Sequence, residues 1–156
     1  MAQHGVPAAS ADVRINADPE VVYGLITDLS TLAELAEETT AMRWTNGDAA
    51  RTGAQFKGDN RNGGHTWTTM CTVTEASPGR AFAFDVRSTA IPVAHWRYEI
   101  VAADGGCRVT ESTWDRRPGW FRKIARYATG VHDRTAANGD HIRVTLDRLK
   151  ERAESR

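Results

Sequence analysis

Residues 53–86 read GAQFKGDNRNGGHTWTTMCTVTEASPGRAFAFDV. Two runs of strand-forming residues, 54–61 and 65–75, flank Asn62-Gly63-Gly64, and that chemistry in so short a loop signals a hairpin. Pro78-Gly79 marks the next turn. Beyond it Phe82, Phe84 and Val86 alternate over 81–87, the period of a strand with one buried face. The pattern extends both ways. Upstream, Met42 and Trp44 precede an Asn46-Gly47 turn. Downstream, 94–101 places Trp96, Tyr98 and Ile100 on one face, and Asp104-Gly105-Gly106 turns the chain into 107–114. Six consecutive strands joined by short turns predict an antiparallel meander.

Different elements flank this meander. Residues 11–16 alternate, with Val13 and Ile15 on one side, and read as a further strand. Asp18-Pro19-Glu20 is a helix start: Asp18 can cap, Pro19 suits the first turn and Glu20 favours the positive end of the helix dipole. Val21, Val22, Leu25, Ile26 and Leu29 follow at helical spacing. Thr31 to Glu34 offers a second capping pattern for a short helix carrying Leu32 and Leu35. After the meander, Pro118 opens a helical segment with Trp120, Phe121, Ile124, Tyr127 and Ala128 on its apolar face, ending or bending at Thr129-Gly130. A last helix, about 135–153, carries Ile142, Leu146, Leu149 and Ala153 as its inner stripe.

These elements predict an α+β fold: a curved antiparallel sheet of about seven strands around a long C-terminal helix. Two short helices cannot cover one face of so large a sheet. The final helix is the natural cover, and strand twist curls a long meander around it. The length of 156 residues suits one domain. Residues 1–10 are expected to form a flexible arm, and 11–154 the domain.

Composition narrows the function classes. Lys+Arg and Asp+Glu both count 20, so formal charge is zero, and no phosphate-gripping basic excess is present. Nucleic acid is therefore not an expected partner. No run of about 18 apolar residues suggests a membrane span. The first ten residues lack a positive cluster followed by an apolar stretch, so no leader is expected there and the cytoplasm is the expected compartment. Cys71 and Cys107 each sit among strand residues and read as small buried hydrophobes. The oligomeric state is open between monomer and homodimer.

The period of two also divides the strands into faces. Met42, Trp44, Phe56, Trp67, Cys71, Val73, Phe82, Phe84, Trp96, Tyr98, Ile100, Cys107 and Val109 fall on the inner one. The same parity places Gly58, Asn60, Thr69, Glu111 and Thr113 there. Buried polar groups cost about 1–3 kcal/mol each unless paired. An apolar wall carrying a few convergent polar groups is the pattern of a ligand pocket.

The stretches ADVRINADPEVVYGLITDLSTL (11–32), residues 53–86 quoted above, GCRVTESTWDRRPGWF (106–121) and TGVHDRTAANGDHIRVTLDRLK (129–150) carry a family resemblance. Their order resembles the START-like helix-grip fold of the SRPBCC superfamily, and within it the actinobacterial-type polyketide cyclase/dehydrase and lipid-transport group. The resemblance implies a ligand cavity between sheet and final helix. It implies no single chemistry, because that group has no universal catalytic motif. It includes aromatic-polyketide cyclases, lipid and hormone binders, and toxin halves of toxin–antitoxin pairs.

The chemical search returns few candidates. No P-loop, dinucleotide fingerprint, HExxH or CxxC occurs. The five histidines, His4, His65, His95, His132 and His141, form no metal-type pair, so no metal or cofactor is expected; parity places His95 on the outer face. Glu111 is the one candidate catalytic residue: burial raises a carboxyl's pKa and makes it a proton carrier near neutrality. The alternative is a structural ion pair, with Arg61 reaching Glu111 or Asp133. Asn60 either orients a ligand carbonyl or caps its hairpin.

The expected ligand-binding set is Trp44, Phe56, Asn60, Trp67 and Thr69, then Phe82, Phe84, Trp96, Tyr98, Glu111 and Thr113. Gly139, Ile142 and Leu146 join it from the final helix, Gly139 because a missing side chain facing the sheet leaves volume. Residues 119–128, with Arg117 before them, surround an aromatic face with Arg122, Lys123 and Arg126, a composition suited to transient membrane contact. The leading expectation is a binder of a hydrophobic small molecule, a lipid or a polyketide-like compound. A cyclase or dehydratase acting on a poly-ketone chain is the first alternative. A regulatory or toxin–antitoxin-type interaction protein is the second.

Overall fold

The hairpin expected at Asn62-Gly63-Gly64 forms. Asn62 and His65 are its last paired rung, and Gly63 adopts φ +61°, a conformation that suits glycine. The computed structural model that gives this chain's structure describes residues 5–121 and 134–155. The strands are β1 (Ala9–Ile15), β2 (Thr39–Asn46), β3 (Gln55–Asn62), β4 (His65–Ser77), β5 (Ala81–Ser88), β6 (Ile91–Ala103) and β7 (Gly106–Asp115). The helices are α1 (Pro19–Thr27), α2 (Leu29–Leu35) and α3 (Arg134–Glu154). The seven strands form one antiparallel sheet in the order β1-β7-β6-β5-β4-β3-β2. The meander β2–β7 is complete, and β1 closes it by pairing with β7.

Local starts differ from expectation in three places. β1 begins at Ala9, two residues early, and Gly5 already touches the sheet by accepting from Trp114 Nε1 at 2.9 Å. Asp18 is the N-cap residue of α1, but its side chain makes no capping bond; its carbonyl takes the Val21 and Val22 amides instead. α2 starts at Leu29 behind Asp28, not at Thr31. The Thr31 hydroxyl turns back to donate to Asp28 Oδ2 at 2.6 Å, so the residue read as the cap lies inside the helix.

The register puts the predicted inner residues on one face. Phe56 pairs with Cys71, Gly58 with Thr69 and Asn60 with Trp67. Val73 pairs with Phe84, Phe84 with Trp96 and Phe82 with Tyr98. Tyr98 then pairs with Glu111, Trp96 with Thr113 and Ile100 with Val109. On the opposite face His95 Nδ1 lies 2.6 Å from Asp85 Oδ1, and its ring stacks on Trp114 at 5.3 Å. His95 is therefore buried although it points outward.

The inner face fills unevenly. At the end of the sheet bearing Ile15, Val73, Phe82, Ile100 and Val109, the core is solid. α1, α2 and the C-terminal half of α3 pack there, bringing Val22, Ile26, Leu32, Leu146 and Leu149. Lys150 Nζ donates to the Arg14 carbonyl at 2.9 Å, and Glu154 Oε2 accepts from the Asn16 amide at 2.8 Å, tying that end of α3 to β1. The other end of the inner face lies under the N-terminal half of α3.

Candidate functional site

Beneath that half of α3 is a cavity of about 340 Å³. Strand parity builds most of its wall. β3 contributes Phe56, Gly58 and Asn60, and β4 contributes Trp67, Thr69 and Cys71. Phe84, Val86 and Ser88 come from β5, and Ala94, Trp96 and Tyr98 from β6. β7 lays Glu111, Thr113 and Asp115 along one side, two residues apart because every second side chain faces inward. Asn138, His141, Ile142 and Thr145 of α3 form the roof, and Leu32, Ala36, Glu37, Glu38 and Thr39 close one flank.

Of the expected ligand-binding residues, the structure gathers Phe56, Asn60, Trp67, Thr69, Phe84, Trp96, Tyr98, Glu111, Thr113 and Ile142 on this wall. Trp44, Phe82, Gly139 and Leu146 do not border it. Trp44 and Phe82 have the right parity but lie toward the solid end. Trp44 meets Phe56 edge-on at 5.5 Å, and Phe82 packs on Phe84 at 5.5 Å. Leu146 belongs to the packed half of α3. Gly139 follows Asn138 and, at about 100° per residue, is turned well away from the stripe that faces the cavity. A side chain there would meet no atom within 4 Å, and the position is not part of the cavity wall.

Polar groups on the wall are mostly occupied. Asn60 accepts from the Thr39 hydroxyl at 3.1 Å and donates to Thr69 Oγ1 at 3.2 Å and the Gly58 carbonyl at 3.4 Å. It is fixed across three strands and does not cap its hairpin. Thr113 Oγ1 donates to the His95 carbonyl at 3.2 Å. Arg117 grips Asp115 through Nε and Nη2 at 3.0 and 2.9 Å, a bidentate pair. His141 Nδ1 stands 3.6 Å from Glu38 Oε1.

Among the described residues no cation stands beside Glu111. It is 3% exposed, its carboxyl faces the Tyr98 hydroxyl across the β6–β7 rung, and Oε1 has no partner. Burial pushes its pKa up to about 8, against the opposing effect of the Tyr98 hydroxyl. Tyr98 is driven well above its ordinary range by burial and then by the neighbouring carboxyl. The ion pair considered between Arg61 and Glu111 does not form: Arg61 ends β3 and its Nε donates to the Gly63 carbonyl at 3.0 Å. Asp133 and residues 122–128 of the basic aromatic segment lie outside the described residues. Of that segment's described part, Trp120 is exposed and Phe121 borders the cavity. Cys71 and Cys107 are both buried and free, and burial holds the Cys71 thiol up at about 12. No described helix is long and apolar enough to cross a membrane.

Sequence reasoning missed the roof and the flank. Asn138, His141 and Thr145 recur at helical spacing, but polar residues on a helix read as a solvent face. Glu37 and Glu38 sit in a connection with no periodicity. Gly58, Cys71, Val86 and Asp115 share the parity that found their neighbours, and Arg117 follows from Asp115 alone.

This architecture, a curved seven-stranded sheet gripping a C-terminal helix above an internal cavity, is the helix-grip fold. The chain belongs to the polyketide cyclase / dehydrase and lipid transport family, whose model matches residues 7–154. Solved structures agree on the fold. A protein from Deinococcus radiodurans is 16% identical, with a TM-score of 0.68 over 94% of this chain and 96% of that one. A polyketide-cyclase-like protein from Corynebacterium glutamicum is 23% identical, with a TM-score of 0.62 over 94% and 91%. The di-domain ARO/CYC StfQ from the steffimycin biosynthetic pathway is 12% identical, with a TM-score of 0.73 over 94% of this chain and 50% of that one. No curated protein sequence matches the chain.

Proposed function

We propose that this protein binds a hydrophobic small molecule, a lipid or a polyketide-like compound, in the cavity between the sheet and α3, as a cytoplasmic carrier or receptor. The observation that carries the reading is the cavity itself. Its volume of about 340 Å³ falls within the usual range for small-molecule sites, about 300–1,000 Å³. Its wall is largely aliphatic and aromatic, with polar groups at fixed places. Family membership supports the same class of ligand. The test is native mass spectrometry of freshly purified protein, followed by titration with fatty acids, sterols and aromatic polyketides. Trp67 and Trp96 stand on the wall, so an occupant changes tryptophan emission. Protein that carries no adduct and gives no emission or heat change across the panel refutes the reading.

Glu111 favours a second reading, catalysis of ring closure or dehydration on a poly-ketone chain. A carboxyl with a pKa near 8 is protonated at neutral pH. It can give its proton to a carbonyl oxygen as a carbon of the same chain attacks that carbonyl carbon. The resulting carboxylate then takes the proton that the attacking carbon must lose, which restores the acid. The cavity would supply the folded geometry. Turnover of a synthetic poly-ketone that survives Glu111→Gln unchanged removes this role.

A further inference from the structure

The strand rung that joins Tyr98 to Glu111 has a proton count that does not close among the described residues. Both groups are uncharged at neutral pH, because burial raises both. The pair therefore owns two O–H protons, and a bond between the two side chains can use only one. If the tyrosine donates, the carboxyl proton is left over; if the carboxyl donates, the phenolic proton is. Among the described residues, the neighbours make no bond that would take the remainder. Glu111 Oε1 is without a partner. β1 presents only Ala11 opposite Glu111. The next inward group on β7, the Thr113 hydroxyl, spends its own proton on the His95 carbonyl and makes no hydrogen bond to Glu111 Oε1.

We infer that the ligand supplies that acceptor, so that Tyr98 and Glu111 together select an apolar molecule bearing an uncharged oxygen, a ketone or ester carbonyl, at its buried end. The inference rests on the cavity being a ligand site, as proposed above, and adds which ligands it takes. It also says which it rejects. A carboxylate brought to this rung would set an anion against a group that prefers to be neutral, with no free cation at hand among the described residues. The cation on the described wall, Arg117, is held by Asp115 through two nitrogens. A fatty acid would thus enter tail first or not at all, whereas a ketone enters oxygen first.

Three probes of nearly one shape separate these cases: 2-acetylnaphthalene (neutral acceptor), 2-ethylnaphthalene (no acceptor) and 2-naphthoate (anion). Affinities come from calorimetry on the full chain at several pH values. At pH 7 the ketone binds about tenfold tighter than the hydrocarbon, the worth of one net hydrogen bond, and the naphthoate binds weakest. As pH rises through about 8, Glu111 ionises, takes the tyrosine proton as acceptor and leaves no donor, so the ketone's advantage disappears. The other titratable groups on the described wall are Glu37, Glu38, Cys71, Asp115, Arg117 and His141. Their ionisation is read out by the hydrocarbon, which shares the cavity but not the bond. Glu111→Gln, which keeps an N–H donor, retains a preference for the ketone. In Tyr98→Phe/Glu111→Leu the ratio falls to about one. Should that double variant unfold, the wild-type ratio and its pH profile decide. Equal binding of ketone and hydrocarbon, or tightest binding of the naphthoate, overturns the inference and leaves the cavity a ligand site. Binding of none of the three overturns both readings.

Discussion

Tyr98 and Glu111 face each other directly across β6 and β7, both almost wholly buried. Their burial makes stability depend on pH in a defined direction. The unfolded chain releases the Glu111 proton near 4.5, whereas the folded chain keeps it until about 8. Between those values the folded state binds the extra proton, so stability falls as pH rises and levels off above about 8. The whole span amounts to about 5 kcal/mol at 1.36 kcal/mol per pH unit. Urea unfolding from pH 5 to 9 should show this decline in the wild type and a flatter profile in Glu111→Gln. Parallel profiles would mean that Glu111 is not the group responsible.

α3 is held by two kinds of contact of unequal worth. Arg148 and Arg152 reach Glu37 and Glu34 at 3.7 and 2.8 Å, in pairs open to water, which typically contribute about 0–1 kcal/mol. Leu149, between them in sequence, is fully buried. Leu149→Ala should cost about 2–5 kcal/mol, and Arg152→Ala less than about 1 kcal/mol. Denaturant midpoints that reversed this order would show that ion pairs, not apolar packing, hold the helix.

Gly139 should be replaceable. It lies inside α3, away from the cavity, with open space where a side chain would project. Gly139→Ala restores helix propensity and should stabilise the domain by about 0.4–1 kcal/mol, with ligand affinity unchanged. A lower melting temperature would place packed atoms against this turn.

The thiols should be inert in the native state. Cys71 is buried and its thiol is held at about 12, so almost no thiolate exists at pH 8. Cys107 is sealed beside Ile15 in the register of β1 and β7. Mass spectrometry after iodoacetamide should find neither modified until denaturant is added. Rapid alkylation of native protein would reveal an opening that reaches the sheet.

Much of this was legible in the sequence because strand alternation reports one fact, which face is covered. The turn at Asn62-Gly63-Gly64 set the meander, and parity placed Tyr98, Glu111 and Thr113 on the same inner face. Parity does not report what covers the face. Phe82 and Phe84 are indistinguishable by pattern, yet one packs against protein and the other borders empty volume. The helix misled for a related reason. Its apolar stripe marks the solid half of the core, whereas its cavity side, Asn138, His141 and Thr145, has the polarity of a surface. The expectation for Gly139 followed that stripe and so pointed at the wrong flank. Long-range partners were equally hidden: Glu111 has a tyrosine on the next strand, not the arginine of β3.

The division of the inner face into a solid end and a hollow end lets two kinds of change proceed separately. Side chains at the hollow end can be exchanged for larger, smaller or differently polar ones while the residues that nucleate and hold the domain stay as they are. A lineage built on this plan can therefore reshape the hollow in single steps, each intermediate still folding.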